Sequence, residues 1–262
     1  LTNLYPQHRS LVLSPTWRLV HGLGGASVYE TGFTLHHVYG FPYLPATSFK
    51  GITRAWFVES VLANDVPGEN LSLLDALLDL PLKAIKESKK EPLSSEIKSS
   101  LGKIKDKATN LDEVINKVEE AIKSPESWPN LHRGQFFFGS TERQSRAVFF
   151  DGLPTTHEIN IQPDIMNVHY PEYYKGNNYP VDYDSPKPIH FLTVQKTPFS
   201  FAVALNALEH ELPEVFKNEG KNIKILTHDL KMLAVEALKN LGIGSKTSLG
   251  YGLMEEAKQP AG

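Results

Sequence analysis

Gly242-Ile243-Gly244-Ser245-Lys246-Thr247-Ser248-Leu249-Gly250-Tyr251-Gly252 decides how this chain is read. Two Gly-apolar-Gly triplets bracket five residues, four of them polar or basic. A helix pattern precedes the stretch: Leu230, Leu233, Ala234, Ala237, Leu238 and Leu241 recur at three- and four-residue steps, with Thr227 placed as N-cap. Gly242 then stands where a helix stops. The glycines allow positive φ and close approach to a ligand. Gly244, Ser245, Lys246, Thr247 and Ser248 bring amides, hydroxyls and an ammonium together, which suits a phosphate-rich partner. A plain helix stop followed by a Gly-rich hairpin is the alternative. A Walker loop is excluded, because Ser245 precedes Lys246 and the loop follows a helix. A dinucleotide loop also opens a helix, which this one does not.

A second stretch has related chemistry. In Pro45-Ala46-Thr47-Ser48-Phe49-Lys50-Gly51-Ile52-Thr53-Arg54, Thr47 or Ser48 is placed to cap a helix. Phe49, Ile52, Trp56, Phe57 and Val61 form its expected buried stripe. Lys50 and Arg54 share a face in the first turns, where the helix dipole disfavours cations. Free amides, a hydroxyl cap and two cations suit an anion; a solvated polar face is the alternative.

Elsewhere, residues 1–10 read as an irregular arm and 11–21 as a first strand ending at His21. Gly22-Leu23-Gly24-Gly25 is a turn. Residues 26–46 form a loop carrying Glu30, His36, His37, Tyr39, Phe41 and Tyr43. The window 64–127 has no aromatic, histidine or arginine and reads as an inserted helical subdomain. Within it Asn110 to Ser124 is amphipathic, with Asn110 and Glu113 as a capping-box-like pair. Leu71, Leu74, Leu77 and Leu78 suggest another helix, and 83–107 an exposed mobile region. Gln135 to Gly139 and Ala147 to Phe150 read as buried strands, with Arg143 and Arg146 between them as a second possible backbone contact. Residues 151–188 read as irregular; there Tyr170, Tyr173 and Tyr174 with His169 and Lys175 suit base stacking, or equally a stiff packed arm. Ile189–Val194 and Phe199–Leu205 read as a hairpin, and Leu253–Glu255 as a last strand. The order β–α–(insertion)–β–β–β–α–β predicts an α+β fold close to a ferredoxin-like βαββαβ with an extra strand.

Gly-apolar-Gly, five residues including a Lys, then Gly-apolar-Gly resembles the glycine-rich loop of the RAMP superfamily, CRISPR-associated RNA-binding proteins with ferredoxin-like (RRM-like) folds. Tyr43 to Gly51 resembles the Pro-Gly-Ser-Ser-Leu-Lys-Gly segment that opens the first helix of backbone-type RAMP proteins and grips the guide-RNA backbone. Ala46 replaces the usual Gly there, and Thr47 the first Ser. His21-Gly22-Leu23-Gly24, Tyr29-Glu30-Thr31-Gly32, Asp151-Gly152-Leu153-Pro154, Asp164 to Tyr170 and Ile189 to Val194 resemble segments of a RAMP subunit of type III-B CRISPR (Cmr) effector complexes.

The resemblance spans nearly the whole chain, the helical insertion being its least specific part. It implies one RAMP domain over 1–262 with an insertion at about 64–127. The implied protein is a non-catalytic RNA-binding subunit that caps the 3′ part of the guide crRNA and helps hold the guide–target RNA duplex in antiviral defence. The implied partners are guide crRNA, target RNA, other RAMP subunits and a small helical subunit, with no cofactor and no metal.

Composition bounds this reading. The 262 residues carry a formal charge of −3 and no cysteine, so disulfides and thiolate metal sites are excluded. No membrane span or signal peptide is evident, and a cytoplasmic protein is expected. A nucleic-acid binder that works alone is usually basic; this chain must concentrate its positive charge or share the ligand with partners. The expected RNA contacts are Arg18, His21, Ser48, Lys50, Arg54, His169 and the 244–248 loop with Lys246.

The competing class is a RAMP endoribonuclease acting on target or precursor guide RNA. His21, His36, His37 and His169 are its available bases, and adjacent His36 and His37 are expected to diverge. Family resemblance implies an Asp before the first helix in target-cleaving subunits, where this chain has Glu30. A protein-only scaffold is the third class.

Overall fold

The computed structural model describes residues 4–24, 32–88, 92–169 and 187–257. The chain divides into two compact units. One comprises Leu1–Leu11, Phe49–Phe150 and Phe201–Ala237; the other comprises Val12–Ser48, Asp151–Ser200 and Leu238–Gly262.

In the first unit, helix α1 (Ala46–Phe57) contributes its part from Phe49 onward. Phe49, Thr53 and Phe57 recur every fourth residue and are buried. Thr53 satisfies its hydroxyl by donating to the Phe49 carbonyl at 2.8 Å. A π turn, Val58–Leu62, continues the buried row with Val58 and Leu62, and α2 (Ala63–Asp65) follows. The expected stripe is thus partly replaced: Ile52, Trp56 and Val61 are only half-buried.

Helix α3 (Leu71–Leu78) is capped by Asn70, whose Oδ1 accepts from the Ser72 N–H at 2.9 Å. Helices α4 (Leu82–Glu87) and α5 (Leu93–Leu101) and the 3₁₀ helix Gly102–Lys107 occupy most of the region expected to be mobile. Ile85, Ile97 and Leu101 are buried there and anchor it. Helix α6 (Leu111–Lys123) buries Val114, Ile115, Val118, Ala121 and Ile122. Asn110 and Glu113 do interact, but side chain to side chain. The amides at the start of α6 instead go to Glu69, whose buried carboxylate accepts from the N–H groups of Asn70, Thr109 and Asn110 at 2.7–3.0 Å.

Residues 135–138 are not a strand. They are the last turn of α7 (Pro129–Phe138), which opens on Pro129 and stops at Gly139 with φ +90°. Three consecutive buried phenylalanines fit a buried helix as well as a buried strand. Close packing decides: a Cβ added at Gly134 would meet the side chains of Leu78 and Phe57.

Four strands form a sheet in the order β3 (Ala147–Phe149), β7 (Phe199–Leu205), β1 (His8–Pro15), β8 (Met254–Glu256); β4 (Leu153–Pro154) also pairs with β7. A second sheet has the order β2 (Arg18–Leu19), β6 (Lys187–Gln195), β5 (Asn160–His169), with antiparallel neighbours. The expected first strand therefore starts earlier, at His8, and is cut in two. Thr16 breaks it by donating its N–H and its hydroxyl to the Leu253 carbonyl at 2.9 and 3.2 Å. Much of the stretch expected to be irregular is β4, β5 and the start of β6; residues 170–186, with their tyrosines and Lys175, lie outside the described residues. Strands β6 and β7 are not hairpin partners, because left-handed Lys196 (φ +49°) and buried Thr197 turn the chain from one sheet to the other.

Helix α8 (Glu214–Asn218) precedes α9 (Ile223–Asn240). Thr227 does not cap α9. It lies inside the helix, buried, and donates to the Ile223 carbonyl at 2.6 Å; Asn222 accepts from Ile225 at the start instead. Among the described residues no helix is long and apolar enough to cross a membrane.

Candidate functional site

The loop after α9 is pinned to the second unit's own backbone. Gly242 leaves the helix at φ +72°. The Ile243 N–H donates to the Gly252 carbonyl at 2.9 Å, the Ser245 N–H to Val20 at 2.7 Å and the Gly252 N–H to Arg18 at 2.7 Å. A Cβ at Gly244 would overlap the Val20 carbonyl oxygen, and one at Gly252 the Ile243 carbonyl oxygen. These glycines thus permit approach of protein backbone to protein backbone, where the sequence suggested approach to a ligand. Only Gly250, of the four, has open space around it.

Between the pinned ends, Lys246 takes a left-handed conformation (φ +60°, ψ +30°) and starts the 3₁₀ turn Thr247–Leu249. Its Nζ stands 5.8 Å from the centre of the Phe191 ring. Among the described residues it has no carboxylate partner. Ser245 and Thr247 beside it are half-buried, and Ser248 is exposed.

Arg18 is differently placed. Its guanidinium pairs with Asp164, lies 5.3 Å from the Trp17 ring centre and donates to the Pro163 carbonyl at 3.3 Å. Tyr251 donates its hydroxyl to the same Asp164 at 2.7 Å. Burial pushes Asp164 upward, but hydrogen bonds from Tyr251, the Ile165 N–H and Arg18, with the charge of Arg18, outweigh it and hold the carboxyl below its ordinary range. Burial, then the bond to Asp164, pushes the Tyr251 phenol up to about 12. Arg18 is therefore committed to protein groups.

His21 is committed too. Its Nδ1 meets Thr34 Oγ1 and its Nε2 meets Ser48 Oγ, both at 2.9 Å. Burial pushes its pKa down, so the ring is neutral at pH 7. It orients Ser48 rather than supplying positive charge. Because α1 begins at Ala46, neither Thr47 nor Ser48 is its N-cap, and the first amide is not free: Asp151 Oδ1 accepts from the Ala46 N–H at 2.7 Å.

In the first unit, Lys50 is half-buried and has no carboxylate partner among the described residues; burial, then the charge of Arg54, lowers its pKa. Arg54 is tied to α3 by Asp75 Oδ1 at 2.6 Å and Asp79 Oδ2 at 2.9 Å. Burial opposes its charge, but these bonds outweigh it and raise its pKa. Arg143 rests 5.2 Å from the Phe136 ring centre, while Arg146 pairs with Glu211 at 3.4 Å. A cavity of about 680 Å³ in this unit is lined by Lys86, His132, Gln135 and Arg143, among others; of the residues put forward from the sequence as possible backbone contacts it holds Arg143 alone.

His169 ends β5 at an irregularity in the ladder with β6, and its side chain lies outside the described residues, as does Glu30. His36 and His37 do not diverge: their rings stack, 5.2 Å between centres. The structure thus gathers Arg18, His21, Ser48 and the 244–248 loop in one unit, with Lys50 and Arg54 in the other. Sequence reasoning missed Thr34, Asp151, Asp164 and Tyr251 as positioning residues. Tyr251, set between the two last glycines of the loop, was the one visible signal.

Residues 12–255 match the family model of the RAMP superfamily. The CRISPR system Cmr subunit Cmr6 of Pyrococcus furiosus is 34% identical over 254 residues, covering 91% of this chain and 65% of that protein. The chain thus spans less than two-thirds of that relative's length. The crystal structure of Cmr6 from Pyrococcus furiosus aligns with a TM-score of 0.49 at 30% identity, over 95% of this chain and 97% of that one. A cryo-EM structure of the type III-B Cmr-beta bound to cognate target RNA aligns with a TM-score of 0.49 at 16% identity, over 96% and 58%.

Proposed function

The chain belongs to the RAMP superfamily, and we propose that it is a non-catalytic RNA-binding subunit of a type III-B CRISPR (Cmr) effector complex. In this reading it caps the 3′ part of the guide crRNA and helps hold the guide–target RNA duplex for antiviral defence in the cytoplasm. Its partners are the guide, the target RNA, other RAMP subunits and a small helical subunit. The 34% identity to a Cmr subunit supports this assignment. The strand order β8-β1-β7-β3 supports a ferredoxin-like βαββαβ core within a single RAMP domain, with the helices of about 64–127 as an insertion.

The observation that carries RNA binding is Lys246. Its ammonium, without a carboxylate partner among the described residues, sits on a turn that is flanked by hydroxyl side chains and locked at its two ends, so it meets a phosphate with little ordering cost. Lys50 likewise has no carboxylate partner among the described residues, and Ser48 is held in place by His21. Arg18 and Arg54 act through position: one fixes β5 against the loop, the other fixes α1 against α3. Phosphate contacts of this kind hold RNA without reading its sequence.

The test is the salt dependence of guide binding by the assembled complex. Lys246→Ala and Lys50→Ala are each expected to weaken binding equally for unrelated guide sequences and to flatten the slope of log K against log salt by about 0.7, the value for one phosphate of a single strand. An unchanged slope in both variants refutes the reading.

A further inference from the structure

Residues 32–45 contain no Asp, Glu, Lys or Arg, yet they include His36, His37, Tyr39, Phe41 and Tyr43. The stretch is a closed turn. Leu35 and Pro42 bridge, the His36 N–H donates to the Phe41 carbonyl at 2.8 Å, and the Gly40 N–H donates to the His36 carbonyl at 2.7 Å. His36 Nδ1 accepts from the N–H groups of Val38 and Tyr39 at 3.3 and 3.4 Å. The His36 ring is the hub, 5.0 Å from Tyr39 and 5.1 Å from Phe41 between centres. Tyr39 and Phe41 lie parallel, 2° apart, at 6.0 Å. Despite these contacts Tyr39 is 73% exposed and Val38 65% exposed.

A contiguous aromatic surface that stays in water although its turn is internally hydrogen-bonded is a candidate binding site. Resting on the RNA-binding reading above, we propose that the 35–43 turn is a stacking platform for one unpaired RNA base, with Tyr39 as its outer face. Its root favours a base over a protein side chain. Thr34 closes onto His21 through both its N–H and its hydroxyl, and His21 holds Ser48, one of the candidate phosphate contacts. One hydrogen-bonded unit thus carries a π face and a hydroxyl fit for the adjoining backbone. Stacking on an uncharged ring is tolerant of base identity, as a guide of variable sequence requires. The locked turn presents the face already ordered, so little entropy is lost on contact.

The test uses the assembled complex loaded with guide RNAs that carry 2-aminopurine at single positions through the 3′ part, with guide retention measured on the same samples. One position is expected to be quenched with the native chain, to brighten severalfold with Tyr39→Ala and to stay quenched with Tyr39→Phe. Retained guide with no position responding to Tyr39→Ala overturns the platform and leaves RNA binding standing. Loss of a neighbouring subunit in Tyr39→Ala, again with no responding position, makes the turn a protein contact and also overturns it. Native complex in which this chain protects no guide position overturns both readings.

Discussion

Gly244→Ala and Gly250→Ala separate two reasons for a glycine in one loop. Both residues have positive φ, +106° and +90°. An alanine forced into such a conformation costs about 1–2 kcal/mol, so Gly250→Ala, with nothing near its new Cβ, is expected to lose that amount and no more. At Gly244 the added Cβ overlaps the Val20 carbonyl oxygen and stands 3.2 Å from its carbon. The loop must lift off the backbone at Val20, which breaks the Ser245 N–H bond to that same carbonyl. A lost backbone hydrogen bond adds about 1 kcal/mol, and leaving the carbonyl unpaired adds about 1–3 kcal/mol more. The expected loss for Gly244→Ala is therefore about 3–6 kcal/mol. Urea unfolding of the two variants measures both losses. RNA binding supplies the functional readout: Gly250→Ala retains the Lys246-dependent salt slope and Gly244→Ala loses it, because Lys246 no longer has a fixed place. Equal destabilisation of the two variants, or a native slope in Gly244→Ala, refutes the view that the loop's glycines serve backbone packing.

Glu69→Gln is expected to destabilise the chain at pH 7 by about 2–4 kcal/mol, because three backbone donors lose a charged acceptor. Burial raises the Glu69 pKa, but those three bonds outweigh it and the net shift is downward. The carboxylate's contribution is accordingly full above the unfolded value, about 4.3, and fades as pH falls through the lower folded value; the gap between native and Glu69→Gln chains should close there in acid melts. Arg54→Ala is expected to cost about 1–2 kcal/mol while leaving the RNA salt slope native, and Arg54→Lys to recover little, because one ammonium cannot bond two carboxylates as a guanidinium does. Tyr251→Phe removes the hydroxyl bonded to Asp164; a loss of about 1 kcal/mol and an upward shift of the Asp164 pKa, followed by carboxyl NMR, are expected.

Local signals were legible where one element satisfied its own chemistry. The apolar row of α6 has a single helical solution, and Gly242 ends its helix in the left-handed region that its residue type allows. The errors share a different cause: the partner was remote in sequence. Phe136 to Phe138 read as a strand because the packing of Gly134 against Leu78 and Phe57 was invisible. The 83–107 region looked exposed and mobile because Ile85, Ile97 and Leu101, the residues that it buries, count only once α3 and α6 pack on its helices. In the site, residue type correctly flagged cations but not their state. Arg54 is held by carboxylates 21 and 25 residues away, and Arg18 by one 146 residues away. Lys50 and Lys246 have no such partner among the described residues, and nothing in their local sequence separates them from the two arginines.

The most direct test is to assemble the complex with and without this chain, load guide RNA, and read nuclease protection of the guide together with cleavage of a labelled complementary RNA. A capping, non-catalytic subunit predicts that omission exposes the 3′ part of the guide and leaves the remaining target cuts in place. An unchanged footprint contradicts RNA capping. Disappearance of one cleavage product, reproduced by Glu30→Ala in the intact assembly, makes the chain a nuclease.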